Sequence, residues 1–261
     1  MKKLLALTLA VLMVLSLAAC SPKDSDSDLA YVQDKGKLVV GITEFEPMDY
    51  QDGNGNWIGF DADLATAFAK SLGVDVEFQL IEWDNKVEEL EGKTIDVVWN
   101  GMTLTDEVKN AMATSNPYFN NAQVVIVKAD VADQYQTVDS VKGLSFAVEN
   151  GSAGMEQVDA LGAKYTPVLD QATALLEVSA GTSDAAVIDY LMATAMVGPG
   201  TSYADLTYTC ELNSEEYGVG FRKGSDLADK LNEFFKTAYA DGTMQKIADT
   251  YNIGEKLIEQ K

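Results

Sequence analysis

The sequence of 261 residues contains no histidine. Histidine is the side chain that most often serves as a general base near neutral pH, and it is the commonest metal ligand in proteins. Its absence excludes a Ser–His–Asp triad and removes the usual first ligand of a zinc site. We therefore expect neither a metal nor another cofactor.

Positive charge is scarce as well. Lysine and arginine total 19 against 41 aspartates and glutamates, which gives a formal charge of −22, and Arg222 is the one arginine of the chain. A chain this acidic is a poor partner for the phosphate groups of DNA or RNA, and it gains nothing electrostatically from an anionic lipid surface. We expect no nucleic-acid partner.

Cysteine occurs twice, at Cys20 and Cys210. Two lysines followed by an apolar run over residues 4–19 are typical of a secretory signal, and the run ends in LAAC, which resembles a bacterial lipobox. We predict a lipoprotein signal peptide over residues 1–20, with a lipid on Cys20 that anchors the chain to the outer face of the cell membrane. A cleaved signal without lipid and a retained membrane anchor are the competing interpretations.

Residues 21–28 read SPKDSDSD and hold no apolar side chain to bury. Small and charged residues of this kind are typical of a solvated linker. We predict a flexible tether here. A lipid on Cys20 also leaves Cys210 without a partner for an intramolecular disulfide.

The rest of the chain alternates between strand and helix patterns. Short apolar runs that end near glycine alternate with segments whose apolar residues recur every three or four positions. Such alternation predicts a mostly parallel sheet covered by helices, and two such series in one chain predict two α/β lobes with a cleft between them. Ligands of these sheets collect at the carboxyl ends of strands. The residues to inspect are 42–48, 81–85, 99–103, 149–154 and 189–190.

Several segments, taken in order, resemble the bacterial extracellular solute-binding proteins of family 3, the polar-amino-acid receptors of ABC importers. The resemblance covers about residues 35–255. The segments that carry it are GKLVVGITEFEPMDY (36–50), DGNGNWIGFDADLATAFAKSLG (52–73), TIDVVWNGMTLTDE (94–107), SNPYFNNAQVVIVK (115–128), SDAAVIDY (183–190) and EYGVGFRKGSDL (216–227).

The resemblance implies a periplasmic-binding-protein-like fold, in which two α/β lobes are joined by two hinge strands and close on a ligand. It places the chain crossings near residues 124–127 and 218–221. We therefore predict lobe one over residues 29–124 plus 221–261, and lobe two over residues 125–220. A monomer is expected.

The resemblance also implies the ligand-binding residues. Phe45 and Trp83 occupy the family's two aromatic positions, where rings enclose the ligand body. The turn of Asn100, Gly101, Met102 and Thr103 would offer carbonyl groups to an ammonium and a hydroxyl to a carboxylate, although Thr103 would also suit the cap of the next helix.

Two further positions come from the second lobe. Ser152 and Ala153 stand at a predicted helix start that serves as a carboxylate site in the family, although Ser152 also suits an ordinary helix cap. Asp189, at the end of a strand, would bind the ligand ammonium. Glu46 beside Phe45 is a further candidate ligand contact, with a solvated loop as its alternative.

Val108 is the departure from the family pattern, which places an arginine there to bind the ligand α-carboxylate. Position 108 remains a candidate ligand contact. The residues expected to bind a cation are all present, whereas the part of the site expected to bind an anion has lost its charge. A buried carboxylate without a partner is costly.

The leading hypothesis is a substrate-binding lipoprotein that captures an amino acid or a related small amine and delivers it to an ABC permease, without catalysis. One alternative is a cationic or polar ligand that lacks an α-carboxylate. A sensory lipoprotein and a dehydratase-like enzyme on the same fold are the others.

Overall fold

The computed structural model describes residues 27–261. The predicted signal peptide, with the predicted lipid site at Cys20, and the first six residues of the predicted tether lie outside the described residues. Among the described residues, none of the helices combines the length and the apolar character needed to cross a membrane.

Helices and strands alternate along the described chain. The helices are α1 (Asp28–Lys35), α2 (Phe60–Leu72), α3 (Lys86–Glu91), α4 (Asp106–Ala111), α5 (Val138–Val141), α6 (Ala153–Leu161), α7 (Gln171–Ala180), α8 (Tyr190–Met196), α9 (Leu227–Ala240) and α10 (Thr243–Thr250). The strands are β1 (Lys37–Ile42), β2 (Tyr50–Gln51), β3 (Trp57–Ile58), β4 (Asp75–Leu80), β5 (Val97–Thr103), β6 (Ala113–Thr114), β7 (Phe119–Asn121), β8 (Gln123–Lys128), β9 (Ser145–Glu149), β10 (Lys164–Val168), β11 (Ala185–Asp189), β12 (Leu206–Glu211) and β13 (Glu215–Phe221).

The first lobe is built on a sheet with the strand order β4-β1-β5-β13-β6, and β7 also pairs with β13. Strand β1 runs parallel to both β4 and β5, whereas β13 is antiparallel to β5. The parallel strands follow from the strand–helix alternation, because each crossover needs a helix of the kind that α2 and α3 supply. The carboxyl ends of β1 and β5 therefore meet at one edge.

The second lobe repeats this plan with the strand order β10-β9-β11-β8-β12. Strand β9 is parallel to β10 and to β11, and β8 is antiparallel to β11 and to β12. Strands β9 and β11 end at Glu149 and Asp189, so these two side chains emerge at the same edge of the sheet.

The chain passes between the lobes twice, between β7 and β8 and again between β12 and β13. The second crossing therefore lies at residues 212–214, whereas the sequence analysis placed this boundary at residues 220/221. The reason for the difference is that β13 pairs with β5 from Tyr217 to Phe221, which makes it a strand of the first sheet. Likewise β8 begins at Gln123, two residues before the predicted boundary.

Local sequence sets most element ends. Helix α2 runs over Phe60–Leu72 and ends at Gly73, which adopts the left-handed conformation at φ 77°. Its buried Leu64 and Phe68 lie one turn apart on the face that packs toward the sheet. Phe68 contacts Trp99 edge-on, with ring centroids 6.1 Å apart.

The end of the predicted tether is packed against the first lobe instead of being solvated. The hydroxyl of Ser27 donates to Asp226 and caps helix α1 by accepting from the Ala30 amide. Asp28 is buried and forms an ion pair with Arg222, whose Nε lies 3.0 Å from both carboxylate oxygens. Arg222 therefore fixes the N-terminal helix rather than serving the cleft.

Candidate functional site

A cavity lies between the two lobes, where the carboxyl ends of β1, β5, β9 and β11 face one another. Every predicted site residue of the described chain except Glu46 lines it. Those residues are Phe45, Trp83, Asn100, Gly101, Met102, Thr103, Val108, Ser152, Ala153 and Asp189. Glu46 is half-buried outside the cavity lining, and burial raises the pKa of its carboxyl above the usual value.

Two aromatic side chains, Phe45 and Trp83, line the cavity. Phe45 packs edge-on against Tyr217, with centroids 6.3 Å apart and an angle of 82° between the rings. Gly101, at φ 54°, lets the β5 backbone approach this ring, because a Cβ there would lie 2.5 Å from Cε1 of Phe45. Trp83 begins a 3-10 turn just before helix α3 and is almost fully buried. The two rings give the cavity an apolar body.

The polar atoms of the Asn100 side chain are already hydrogen-bonded to other residues of the protein. Its amide nitrogen donates to the Thr43 carbonyl and to Asp49, and its oxygen accepts from the Thr43 amide and hydroxyl. The next residue, Gly101, donates its N–H to Asp61 at 2.6 Å. Residues 100–103, which the sequence analysis expected to form a turn, therefore lie in strand β5, and buried carboxyl groups hold Asn100 and Gly101 in place.

Four side chains donate hydrogen bonds to the carboxyl of Asp189. Its Oδ1 accepts hydrogen bonds from Asn121, Gln123 and Tyr217, and its Oδ2 accepts one from Gln171 at 2.5 Å. Burial raises the pKa of the Asp189 carboxyl to about 8, the charge of Glu215 adds to the effect, and these donors oppose it.

Glu149 is a cavity residue that the sequence analysis did not name. It ends β9, is 3% exposed, and its Oε1 has no hydrogen-bond partner among the described residues. Burial raises the pKa of its carboxyl well above the usual value, and the nearby charges of Asp189 and Asp170 act in the same direction. An unsatisfied buried acceptor is unusual and calls for a partner.

Lys86 is a second residue that was missed, and it is the single cationic side chain lining the cavity within the described part of the chain. Its Nζ lies 5.0 Å from the centre of the Trp83 ring and donates to the carbonyls of Trp83 and Gly151 at 3.2 and 3.0 Å. Burial lowers the pKa of its ammonium, and the surrounding carboxylates, first among them Glu107, act against this.

The wall around Val108 differs from a carboxylate-binding site. The Thr103 hydroxyl donates to Glu215 at 2.8 Å, so it is committed to another residue of the chain. Thr105, and not Thr103, caps helix α4 by accepting from the Val108 amide. Glu107 lines the same wall.

On the facing side of the cleft, the Ser152 hydroxyl caps helix α6 by accepting from the Met155 amide. This is the ordinary cap that the sequence analysis kept as the alternative, and the residue lines the cavity as well. The first amides of α6 have no partner within the helix and carry partial positive charge. Glu156, one turn further along, also lines the cavity and adds a carboxyl group to it.

Both missed residues carried a weak sequence signal. Glu149 lies in the segment 149–154 that the strand-end rule selects. Lys86 follows the selected segment 81–85 directly. Its position in the cavity depends on the approach of Gly151, 65 residues away in the chain. Local patterns carry no information about that contact.

A sequence model of the family described as "Bacterial extracellular solute-binding proteins, family 3" matches residues 38–255. Among curated proteins, the chain is similar to the arginine-binding extracellular protein ArtP of Bacillus subtilis. The two are 30% identical over 263 aligned residues, which cover 98% of this chain and 100% of ArtP.

Solved structures agree with this relationship. An ABC uptake transporter substrate-binding protein from Streptococcus pneumoniae with bound histidine is 30% identical, with a TM-score of 0.78, and the match covers 87% of this chain and 96% of that one. The ancestral amino acid-binding protein AncCDT-1, described as a precursor of cyclohexadienyl dehydratase, is 32% identical with a TM-score of 0.79, covering 86% and 99%.

Proposed function

The chain belongs to the bacterial extracellular solute-binding proteins of family 3, and from this membership we propose that it captures an amino acid or a related small amine for an ABC importer. The observation that carries the proposal is the cavity between the lobes, which combines aromatic walls with buried carboxyl groups at strand ends. Phe45 and Trp83 would enclose the ligand body, and the carboxyl of Asp189 would attract its ammonium.

The lobes would act as a clamp around this ligand. In the structure they touch at the cleft edge, where Asn150 of the second lobe donates to Asp84 of the first at 2.9 Å and Lys86 donates to Gly151 at 3.0 Å. A ligand that binds both lobes favours the arrangement in which they meet. The closed complex would then be the form that a permease receives.

We further propose that the chain is held at the extracytoplasmic membrane face by a lipid on Cys20. The proposal rests on the apolar run over residues 4–19 and its LAAC ending. Cys20→Ser should leave an uncleaved precursor that does not incorporate labelled palmitate, whereas Cys210→Ser should label as the parent does. Equal labelling of both variants would reject the anchor.

The proposed role contains no chemical step. One observation favours the catalytic alternative, because Glu149 and Asp189 are cavity carboxyls with raised pKa values, a property common among acid–base catalysts. A simple assay distinguishes solute binding from catalysis. Incubation of the protein with its ligand should return that ligand unchanged by mass spectrometry, and a product that accumulates over many turnovers would establish an enzyme.

The test of solute capture is a thermal-unfolding panel of amino acids and their decarboxylated amines, followed by small-angle scattering with each compound that binds. A true ligand should stabilise the protein by about 2.7 kcal/mol at a hundredfold excess over its dissociation constant. It should also lower the radius of gyration, because the lobes close on it.

A matched pair of tryptophan variants locates the binding site. Trp83→Ala should abolish the stabilisation, because it removes a cavity wall. Trp57→Ala should preserve it, because Trp57 packs against Phe78 away from the cavity. No stabilisation by any compound, together with unchanged scattering, would contradict the proposed function.

A further inference from the structure

The least satisfied polar group of the cavity is the carboxyl of Glu149. Its side chain is 3% exposed, it lines the cavity, and its Oε1 has no hydrogen-bond partner among the described residues. Leaving such a group without a partner costs about 1–3 kcal/mol, and more if it is charged. The unsatisfied oxygen therefore indicates where a donor belongs.

The neighbouring Asp189 is a poorer acceptor for a ligand. Three side chains already donate to its Oδ1, and Gln171 donates to its Oδ2. Gln171 in turn accepts from the Asp189 amide, so the acid is fixed on two sides. Glu149 thus has more free acceptor capacity than Asp189.

The opposite wall is unsuited to a carboxylate. Val108 offers no charge, the Thr103 hydroxyl donates to Glu215, and Glu107 on the same wall and Glu156 on the facing side of the cleft both add negative charge. Lys86 is the one cation of the cavity lining among residues 27–261, and two backbone carbonyls already accept hydrogen bonds from its ammonium. A ligand carboxylate would meet more like charge than opposite charge here.

The charge around the cleft mouth has the same sign. A second opening adjoins the cavity. The charged residues that line it are Asp106, Glu107, Glu156, Glu215 and Glu216, with Lys109 as the cation among them. A cleft lined mainly by one charge sign attracts ions of the other sign and speeds their association. Cations are therefore favoured both on approach and inside.

We propose that the ligand is an organic cation without a carboxylate, whose ammonium or guanidinium group is bound by Glu149 while its body lies between Phe45 and Trp83. This inference rests on the proposed function and specifies its ligand class. The bound donor satisfies Oε1 of Glu149, and the missing carboxylate removes the conflict with the wall at Val108.

The test is calorimetric titration of the purified protein with matched pairs, agmatine against arginine and histamine against histidine. Each pair shares its side chain and differs by one carboxylate. The amine of at least one pair should bind tenfold or more tightly than its amino acid. Tighter binding of both amino acids would overturn the inference and leave solute capture standing, with Lys86 as the carboxylate partner.

Two variants test the contact itself. Glu149→Gln should weaken amine binding about 10- to 100-fold, because a charge-assisted hydrogen bond is replaced by a neutral one. Glu88→Gln is the control, since Glu88 is exposed on α3 outside the cavity, and it should bind as the parent does. Both variants should unfold cooperatively near the parental temperature, and equal affinities of a folded Glu149→Gln and the parent would overturn the assignment.

A third variant reverses the preference. Val108→Arg should gain affinity for the amino acid of the pair and lose affinity for the amine, because a guanidinium at this wall binds a carboxylate and repels a cation. Improved amine binding by this variant would contradict the inference. Failure of every compound to bind the parent protein would contradict the proposed function together with the inference.

Discussion

The ammonium of Lys86 donates a 3.0 Å hydrogen bond across the cleft to the carbonyl of Gly151. A second contact runs beside it, because Asn150 donates to Asp84 at 2.9 Å. A Cβ added to Gly151 would lie 2.6 Å from Oδ1 and 3.0 Å from Cα of Asp84. The two lobes thus meet here at a position where only glycine fits.

Gly151→Ala should therefore weaken ligand binding by about tenfold or more, because the lobes cannot meet at this edge. The matched control is Gly162→Ala, which has nearly the same backbone angle, φ 67° against 68°, but nothing within 4 Å of its added Cβ. Both variants should lose about 1–2 kcal/mol of stability from the left-handed conformation. Titration calorimetry should separate them, and parental affinity in Gly151→Ala would refute this account of closure.

Removal of the Arg222 side chain should lower the free energy of unfolding by about 3 kcal/mol or more. Arg222 contacts Asp28 at 2.9 Å and Asp96 at 3.5 Å, and its loss leaves buried carboxylates without compensation. Arg222→Met should be compared with Lys230→Met, whose pair with Glu233 is exposed to solvent and contributes little to stability. Denaturant titration distinguishes the two, and a similar small loss in both would show that the buried cluster is dispensable.

The unliganded protein should be more stable at pH 5 than at pH 8. Burial raises the pKa of Asp61 to about 7 and of Asp189 to about 8, whereas aspartates in an unfolded chain titrate near 4. Between pH 4 and 8 the folded state therefore holds more protons than the unfolded state, and the free energy of unfolding falls as pH rises. Denaturant titrations at pH 5, 6.5 and 8 measure this trend, and stability that rises over the range would contradict it.

Binding of an amine should release protons at pH 7. Burial raises the pKa values of the cavity carboxyls of Asp189 and Glu149. The charge of Glu215 adds to the rise at Asp189, whereas the charge of Lys86 opposes the rise at Glu149. A bound cation stabilises the ionised form of each acid, so protons leave on binding and affinity should increase from pH 6 to pH 8. Calorimetry in buffers of different ionisation enthalpy measures the release, and an enthalpy independent of buffer would argue against it.

The sequence predicted the two α/β lobes because the alternation of strand and helix patterns is local. Buried strands such as β1 and the glycine that ends α2 are encoded within a few neighbouring residues. The lobe boundary at β13 could not be predicted in the same way. Its membership of the first sheet depends on pairing with β5, more than a hundred residues earlier in the chain.

The candidate site, too, could be predicted from the sequence only in part. The family resemblance named Phe45, Trp83 and Asp189, which line the cavity. It did not name Glu149 or Lys86, because its pattern identifies positions and not the chemistry that replaces a lost arginine. The significance of Glu149 emerges only from an unsatisfied oxygen, which is a property of packing in three dimensions.

The most direct test of the account is a crystal structure of the protein with the tightest-binding compound of the matched pairs. We predict a ligand nitrogen within hydrogen-bond distance, about 2.7–3.2 Å, of Oε1 of Glu149, with the ligand body between the rings of Phe45 and Trp83. A ligand carboxylate bound to Lys86, or a ligand held outside this cavity, would contradict it.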